Sequence, residues 1–186
     1  VATTIYLIRH AESLYTEGQE RERGLSEQGK ADAEHVRSIL QKESIDLFVS
    51  STYARAIQTI QPLADEMQME VTLIEGLRER AIGDIAGLSF LEAKRSVYQD
   101  FAAIFKGGES SAEAQARAIR ELKFLMRKHE GSTLVVGTHG DIMTLMLNYF
   151  DSRFGYGFWQ STTMPDIYQL AFEGEKLVQI TRKWEG

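Results

Sequence analysis

Three short apolar runs constrain this chain more than any other feature. Thr3–Ile8, Ile45–Ser50 and Thr133–Thr138 are rich in β-branched, aromatic and aliphatic residues, and each stops at a residue able to do chemistry. Runs of this length with little polar alternation read as strands covered on both faces, which is the habit of a parallel sheet. A parallel sheet in turn demands a crossover between successive strands, and helical patterns fill the gaps.

The first crossover is predicted over residues 26–43, with Ser26 as N-cap and Ala33, Val36 and Leu40 at helical spacing. The second begins near Tyr53, where Ile57, Ile60, Ala64 and Met67 share one face; Pro62 lies inside it and is expected to kink or restart the helix. Val71–Ile74 reads as a further strand. Ser89 with Glu92, and Ser110 with Glu113, have the spacing of capping boxes, so helices are expected from about 89 and from about 110 to His129. Another helix is expected from Gly140 with Ile142, Leu145, Met146 and Tyr149 on one side, and residues 151–165 read as a connection. Ile167–Phe172 and Lys176–Arg182 flank Glu173-Gly174-Glu175, a hairpin signal. The fold class is therefore α/β: a three-layer α/β/α sandwich with a mostly parallel central sheet and a C-terminal hairpin, in one domain over residues 1–186.

The first run delivers Arg9-His10 to a carboxyl edge, where open α/β sheets bind ligands. A guanidinium fork matches phosphate oxygens, and a neutral imidazole can attack phosphorus through one nitrogen while the other is held by a hydrogen bond. Around this pair, Arg9-His10-Ala11-Glu12-Ser13 resembles the Arg-His-Gly-Glu-Thr signature of the histidine phosphatase superfamily, which includes cofactor-dependent phosphoglycerate mutases. Leu25-Ser26-Glu27-Gln28-Gly29 resembles that family's Leu-Thr-x-x-Gly, and Ser50 to Thr59 its second-arginine motif. Leu77-Arg78-Glu79 with Gly83 and Gly87 resembles the acid motif, and Val136-Gly137-Thr138-His139-Gly140 the second-histidine motif. Ala11 replaces the family's Gly, which requires backbone there to avoid positive φ. Thr16 stands where an Asn often helps hold the phosphoryl group, and Gly24 where a Pro is common.

The resemblance implies that His10 takes the phosphoryl group, that Arg9, Arg55 and His139 bind its oxygens, and that Glu79 is the acid, with Glu75 as nearest competitor. Thr16, Gly140 and Arg21 join the expected phosphate- and substrate-binding set. Arg21 and Arg23 either reach a substrate or are solvated charges balanced by neighbouring glutamates, and Arg80 is a further cation open to a carboxylate. Residues 80–108 correspond to the family's specificity-setting segment, and the family's Gly-Glu-Ser followed by an Arg, matched here by Gly108-Glu109-Ser110 and Arg117, implies that Glu109 and Ser110 help to shape the site. The mutase branch has Glu-Arg-His-Tyr-Gly after the acid and a Lys soon after the second Gly. Here Glu79-Arg80-Ala81-Ile82-Gly83 and then Gly87-Leu88-Ser89-Phe90 replace those polar positions, and the short stretch before Gly108 resembles the phosphatase branch. The expected activity is hydrolysis of small phosphomonoesters. The alternatives are phosphoglycerate mutase, protein phosphohistidine phosphatase and a non-catalytic phosphate-binding module.

Composition removes other classes. A formal net charge of −6 argues against general affinity for nucleic acid or anionic membrane, and the absence of cysteine removes disulfides and thiolate chemistry. No apolar run approaches the roughly 18 residues of a spanning helix, and the N-terminus lacks the pattern of a secretion signal, so a cytoplasmic location is expected. None of His10, His35, His129 and His139 has a ligand partner at metal-site spacing; His35 and His129 read as structural, and no metal or other cofactor is expected. The expected partner is a small phosphate ester.

Overall fold

The computed structural model describes residues 1–186. The strands are β1 (Ala2–Arg9), β2 (Leu47–Ser50), β3 (Val71–Leu73), β4 (Thr133–Thr138), β5 (Asp166–Glu173) and β6 (Lys176–Arg182). The helices are α1 (Glu27–Leu40), α2 (Ala54–Glu66), α3 (Phe90–Gln99), α4 (Ser111–Lys128), α5 (Gly140–Phe150) and α6 (Tyr156–Ser161). One sheet carries the strands in the order β3-β2-β4-β1-β5-β6. The first four are parallel, β5 runs antiparallel to β1, and β6 closes the expected hairpin.

The pleat of β1 divides the core into two. Ile5 and Leu7 pack with Leu122, Leu125, Ile142 and Met146 from α4 and α5, whereas Tyr6 and Ile8 pack with Val36, Leu40, Ile60 and Leu63 from α1 and α2. Helices therefore cover both faces, as the continuous apolar runs require.

Ser26 accepts from the Gly29 amide at 3.0 Å, and Ser110 with Glu113 forms the complete reciprocal capping box. At Ser89 only the forward bond to the Glu92 amide forms. Two expectations are corrected. Helix α2 does not restart at Pro62 but continues to Glu66, because Ile60, Leu63 and Ala64 are fully buried and hold that face in register. The connection 151–165 contains α6, whose Phe158 ring meets Phe154 edge-on and Tyr168 at a tilt, so packing overrides the glycines at 155 and 157.

The excursion that carries α3 is pinched at its base. Gly83 has φ +89°, and a Cβ on Gly108 would lie 2.2 Å from the Ile82 carbonyl oxygen. Only glycine permits this approach, which is tied by Glu109 N–H donating to Ala81 and Asp84 N–H donating to Lys106.

Candidate active site

The order β2-β4-β1 sets three carboxyl ends side by side. Arg9 is the last residue of β1 and His10 follows it; His139 follows β4 and N-caps α5; Arg55 lies in the first turn of α2, just beyond β2. Arg9 pairs in register with Thr138, and the His10 amide donates to the Thr138 carbonyl, so the two histidines leave adjacent strands together. Their rings sit 5.2 Å apart, centroid to centroid.

His10 Nδ1 lies 2.8 Å from the Ala11 carbonyl oxygen, which can only accept, so Nδ1 carries the proton and Nε2 keeps its lone pair. Arg55 Nε donates toward Nε2 at 3.3 Å. Burial, with Arg55, Arg9 and Arg23 adding to it, brings the His10 pKa down to about 3, although the Ala11 contact opposes the shift. The imidazole is therefore neutral at physiological pH. Ala11 is fully buried and is not among the residues with positive φ, and its amide donates to Thr59.

His139 Nε2 lies 2.7 Å from Ser51 Oγ, and burial followed by the charges of its neighbours holds this imidazole well below its ordinary pKa. Arg9 donates from Nη1 to Thr162 Oγ1 at 2.7 Å. The two terminal nitrogens of Arg55 grip Glu20, one on the main-chain oxygen and one on Oε1, each at 2.6 Å. Arg9 Nε, Arg23 Nε and His139 Nδ1 are buried without hydrogen-bond partners. Such orphaned groups cost about 1–3 kcal/mol each, and here they gather around one imidazole.

Glu79 belongs to the loop after β3. Its Oε1 accepts from the amides of Arg80 and Ile142, both at 2.8 Å, and its Oε2 accepts from the Asp141 amide at 3.1 Å. Burial and then the Asp141 charge push its carboxyl pKa up, outweighing those amides and Lys94. Arg117 braces the same loop by donating to the carbonyls of Gly76, Arg78 and Glu79, while Glu109 holds the Arg117 guanidinium at 2.7 Å. Glu75 is a different kind of group. It is exposed, and the hydrogen bonds of Arg21 and Thr52 lower its pKa to about 2.

Arg9, His10, Arg55 and Glu79 all line a cleft of about 710 Å³, together with Arg23, Glu20, Arg80 and Lys94. Thr16 and Arg21 do not line it. Thr16 is exposed and its hydroxyl reaches only the Leu14 carbonyl, while Arg21 is spent on a bidentate bond to Glu75, so the binding roles expected of both are not carried forward. Gly140 contributes space, because a Cβ there would lie 2.6 Å from the Arg9 guanidinium. Arg23 lines the cleft, with its Nε 3.7 Å from a Glu20 carboxylate oxygen. Sequence reasoning missed Glu20, Lys94 and Asp141; the signal for Lys94 was its place between Phe90 and Tyr98 at four-residue spacing, a cation on the otherwise apolar face of α3.

Comparison with known proteins supplies relatives for this arrangement. The family profile described as histidine phosphatase superfamily (branch 1) matches residues 5–180. Phosphoglycerate mutase-like protein 4 of Arabidopsis thaliana is 32% identical over 155 residues, 75% of this chain and 67% of that protein. The metal-independent phosphoserine phosphatase of the same plant is 30% identical over 157 residues, 76% of this chain and 66% of that protein. The chain thus spans about two thirds of the length of these curated relatives. Among solved structures, a phosphoserine phosphatase variant from Entamoeba histolytica bound to phosphoserine superposes with a TM-score of 0.79 at 22% identity, covering 97% of this chain and 96% of that one. A mycobacterial glucosyl-3-phosphoglycerate phosphatase gives 0.77 at 21% identity, covering 98% and 97%.

Proposed function

The chain belongs to the histidine phosphatase superfamily, branch 1, and from that premise we propose that it is a metal-independent phosphatase of small phosphate monoesters, working through a phosphohistidine on His10. One observation carries the reading: a neutral imidazole whose unprotonated Nε2 faces only the Arg55 Nε donor, at 3.3 Å, stands beside Arg9 and Arg23, whose buried Nε groups have hydrogen bonds still to make.

In the first step, His10 Nε2 attacks phosphorus and the bond from phosphorus to the ester oxygen breaks. Arg9, Arg55 and His139 bind the non-bridging oxygens and stabilise the charge that builds on them. Glu79 gives its proton to the departing alkoxide, a role that suits a carboxyl whose pKa burial and the Asp141 charge push upward. In the second step, water attacks the phosphohistidine, Glu79 as carboxylate takes the water's proton, and the bond between phosphorus and Nε2 breaks to release phosphate. The guanidinium groups supply the positive charge that a divalent cation would otherwise bring.

Hydrolysis is favoured over mutase activity by Ala81 and Ile82, which line the cleft and offer no polar side chain to retain a reorienting intermediate. A screen of phosphorylated metabolites with released phosphate as readout tests the proposal. Incubation with 3-phosphoglycerate and 2,3-bisphosphoglycerate tests the branch: formation of 2-phosphoglycerate faster than phosphate release from the best monoester would make the protein a mutase.

A further inference from the structure

The first turn of α5 holds two carboxyl groups. Asp141 is the second residue of the helix, and Glu79 arrives from the loop after β3 to accept from the Asp141 and Ile142 amides at 3.1 and 2.8 Å. A helix N-terminus favours negative charge, but two carboxylates on one buried turn oppose each other's ionisation. The surroundings of each decide which one carries the charge. Asp141 is fully buried with side-chain donors on both oxygens: Arg80 through Nε at 2.9 Å and Nη2 at 3.3 Å, Lys94 through Nζ at 2.6 Å, and the Tyr98 hydroxyl at 2.6 Å. Burial pushes the Asp141 carboxyl up, but Lys94 and then Arg80 outweigh it and bring it below its ordinary value. The hydrogen bonds to Glu79 come from main-chain amides, and burial followed by the Asp141 charge pushes its carboxyl the other way. Adjacent carboxyls driven in opposite directions are suited to different tasks in one reaction.

The Asp141 carboxylate also joins three segments of chain. Arg80 follows Glu79 in its loop, Lys94 and Tyr98 lie one turn apart on α3, and Asp141 itself comes two residues after His139. Its main chain therefore orients the Glu79 carboxyl, while its side chain fixes the residue next to Glu79 and the helix that brings Phe90 and Lys94 to the cleft. Asp141 is not among the residues that line the cleft, so whatever it does there it does through Glu79, Arg80 and Lys94, which are.

We propose that Asp141 is a positioning residue for the leaving-group proton: its amide and its carboxylate together hold Glu79, Arg80 and α3 in the arrangement from which that proton is delivered. The proposal rests on the phosphatase reading, in which Glu79 is the acid, and adds to it a residue outside the cleft. It concerns the departing oxygen alone. The phosphoryl seat at Arg9 and Arg55 receives no hydrogen bond from Asp141, so binding of the phosphoryl group and delivery of the proton are separable by substitution.

The test compares the native protein with Asp141→Asn, Lys94→Met and Glu79→Gln on an alkyl phosphate and on an aryl phosphate of low leaving-group pKa, with inorganic phosphate as competitive inhibitor. The charged and titratable groups around Glu79 are Asp141 on α5, Lys94 and Tyr98 on α3, Arg9 on β1 and Arg80 in its own loop. Asp141→Asn removes the negative charge and leaves the cations, so the alkaline limb of kcat/KM, on which the acid loses its proton, should move to lower pH. Lys94→Met removes a cation while Arg80 still holds Asp141, so the limb should move to higher pH. A role confined to packing moves neither. Asp141→Asn should also lower kcat by roughly 10- to 100-fold on the alkyl phosphate and by about threefold or less on the aryl phosphate, with inhibition by inorganic phosphate within about threefold of native. Equal losses on the two substrates, or a limb that stays or rises, overturn the proposal. If Asp141→Asn does not fold, Lys94→Met decides: a raised limb supports the proposal and an unmoved or lowered one overturns it. Glu79→Gln separates the proposal from the reading beneath it. A loss selective for the alkyl phosphate in Glu79→Gln but not in Asp141→Asn overturns the positioning role alone, and no selectivity in Glu79→Gln overturns the acid together with its positioning.

Discussion

At the scale of single residues, the site depends on protonation states that burial sets. His10 is neutral because its burial and the neighbouring arginines disfavour the charged ring, and its tautomer is fixed by the Ala11 carbonyl. His10→Ala should abolish turnover, and rapid quenching of the native protein during turnover should trap an acid-labile, base-stable phosphoryl adduct; ordinary activity in the variant would sink the mechanism. The same burial has a consequence for stability. A histidine whose folded pKa is about 3, against about 6.5 in the unfolded chain, makes the unfolded state the stronger proton binder between those values. Stability should therefore fall as pH drops from about 6.5 toward 3, and urea midpoints of His10→Ala should fall less steeply over that window than those of the native chain. Glu79→Gln should slow alkyl phosphates by roughly 10²–10⁴-fold and aryl phosphates less, since a good leaving group needs the proton less. Equal losses on both would assign Glu79 to binding. Gly140→Ala forces the Arg9 guanidinium to move and should lower kcat/KM by about 10²-fold without changing the melting temperature by more than a few degrees.

At the scale of elements, Glu79, the proposed acid, is held by its neighbours more than by its own loop. The loop carrying Glu79 has one short 3₁₀ turn, Glu75–Leu77, and draws its order from two helices: the α5 amides that bind the carboxylate and Arg117 on α4 that holds the carbonyls behind it. Arg117→Met leaves those carbonyls and the Glu109 carboxylate without their donor. A loss of about 1–3 kcal/mol in urea unfolding is expected, together with a lower kcat on alkyl phosphates. A stability loss with kcat intact would mean that the loop keeps its geometry without the brace. Helix boundaries were readable where a side chain marks them, as Ser26 and Ser110 do, and Ser89 placed the start of α3 although its box is half formed. Helix α6 was not readable, because glycines at 155 and 157 speak against a helix and only the aromatic contacts of Phe158 and neighbouring rings outweigh them.

At the scale of the whole molecule, a chain of net charge −6 concentrates arginines at one sheet edge, so charge stabilisation is local and built from side chains. Exhaustive chelation should leave phosphatase activity unchanged; loss on chelation with recovery on one divalent ion would contradict the roles given to Arg9, Arg55 and His139. The strands, most helices and the convergence of Arg9, His10, Arg55, Glu79 and His139 were determined by the sequence alone. Each rests on a signal local in the chain: an apolar run that must be buried, a cap, or a residue stationed at the end of a run. The tertiary structure decided what distant residues do to one another. It withdrew Arg21 to Glu75, left Thr16 outside the cleft, brought Glu20 onto Arg55, and set Asp141 between Arg80 and Lys94. Pairing and burial of charge depend on which side chains the fold brings within hydrogen-bond reach, and no spacing along the chain encodes that.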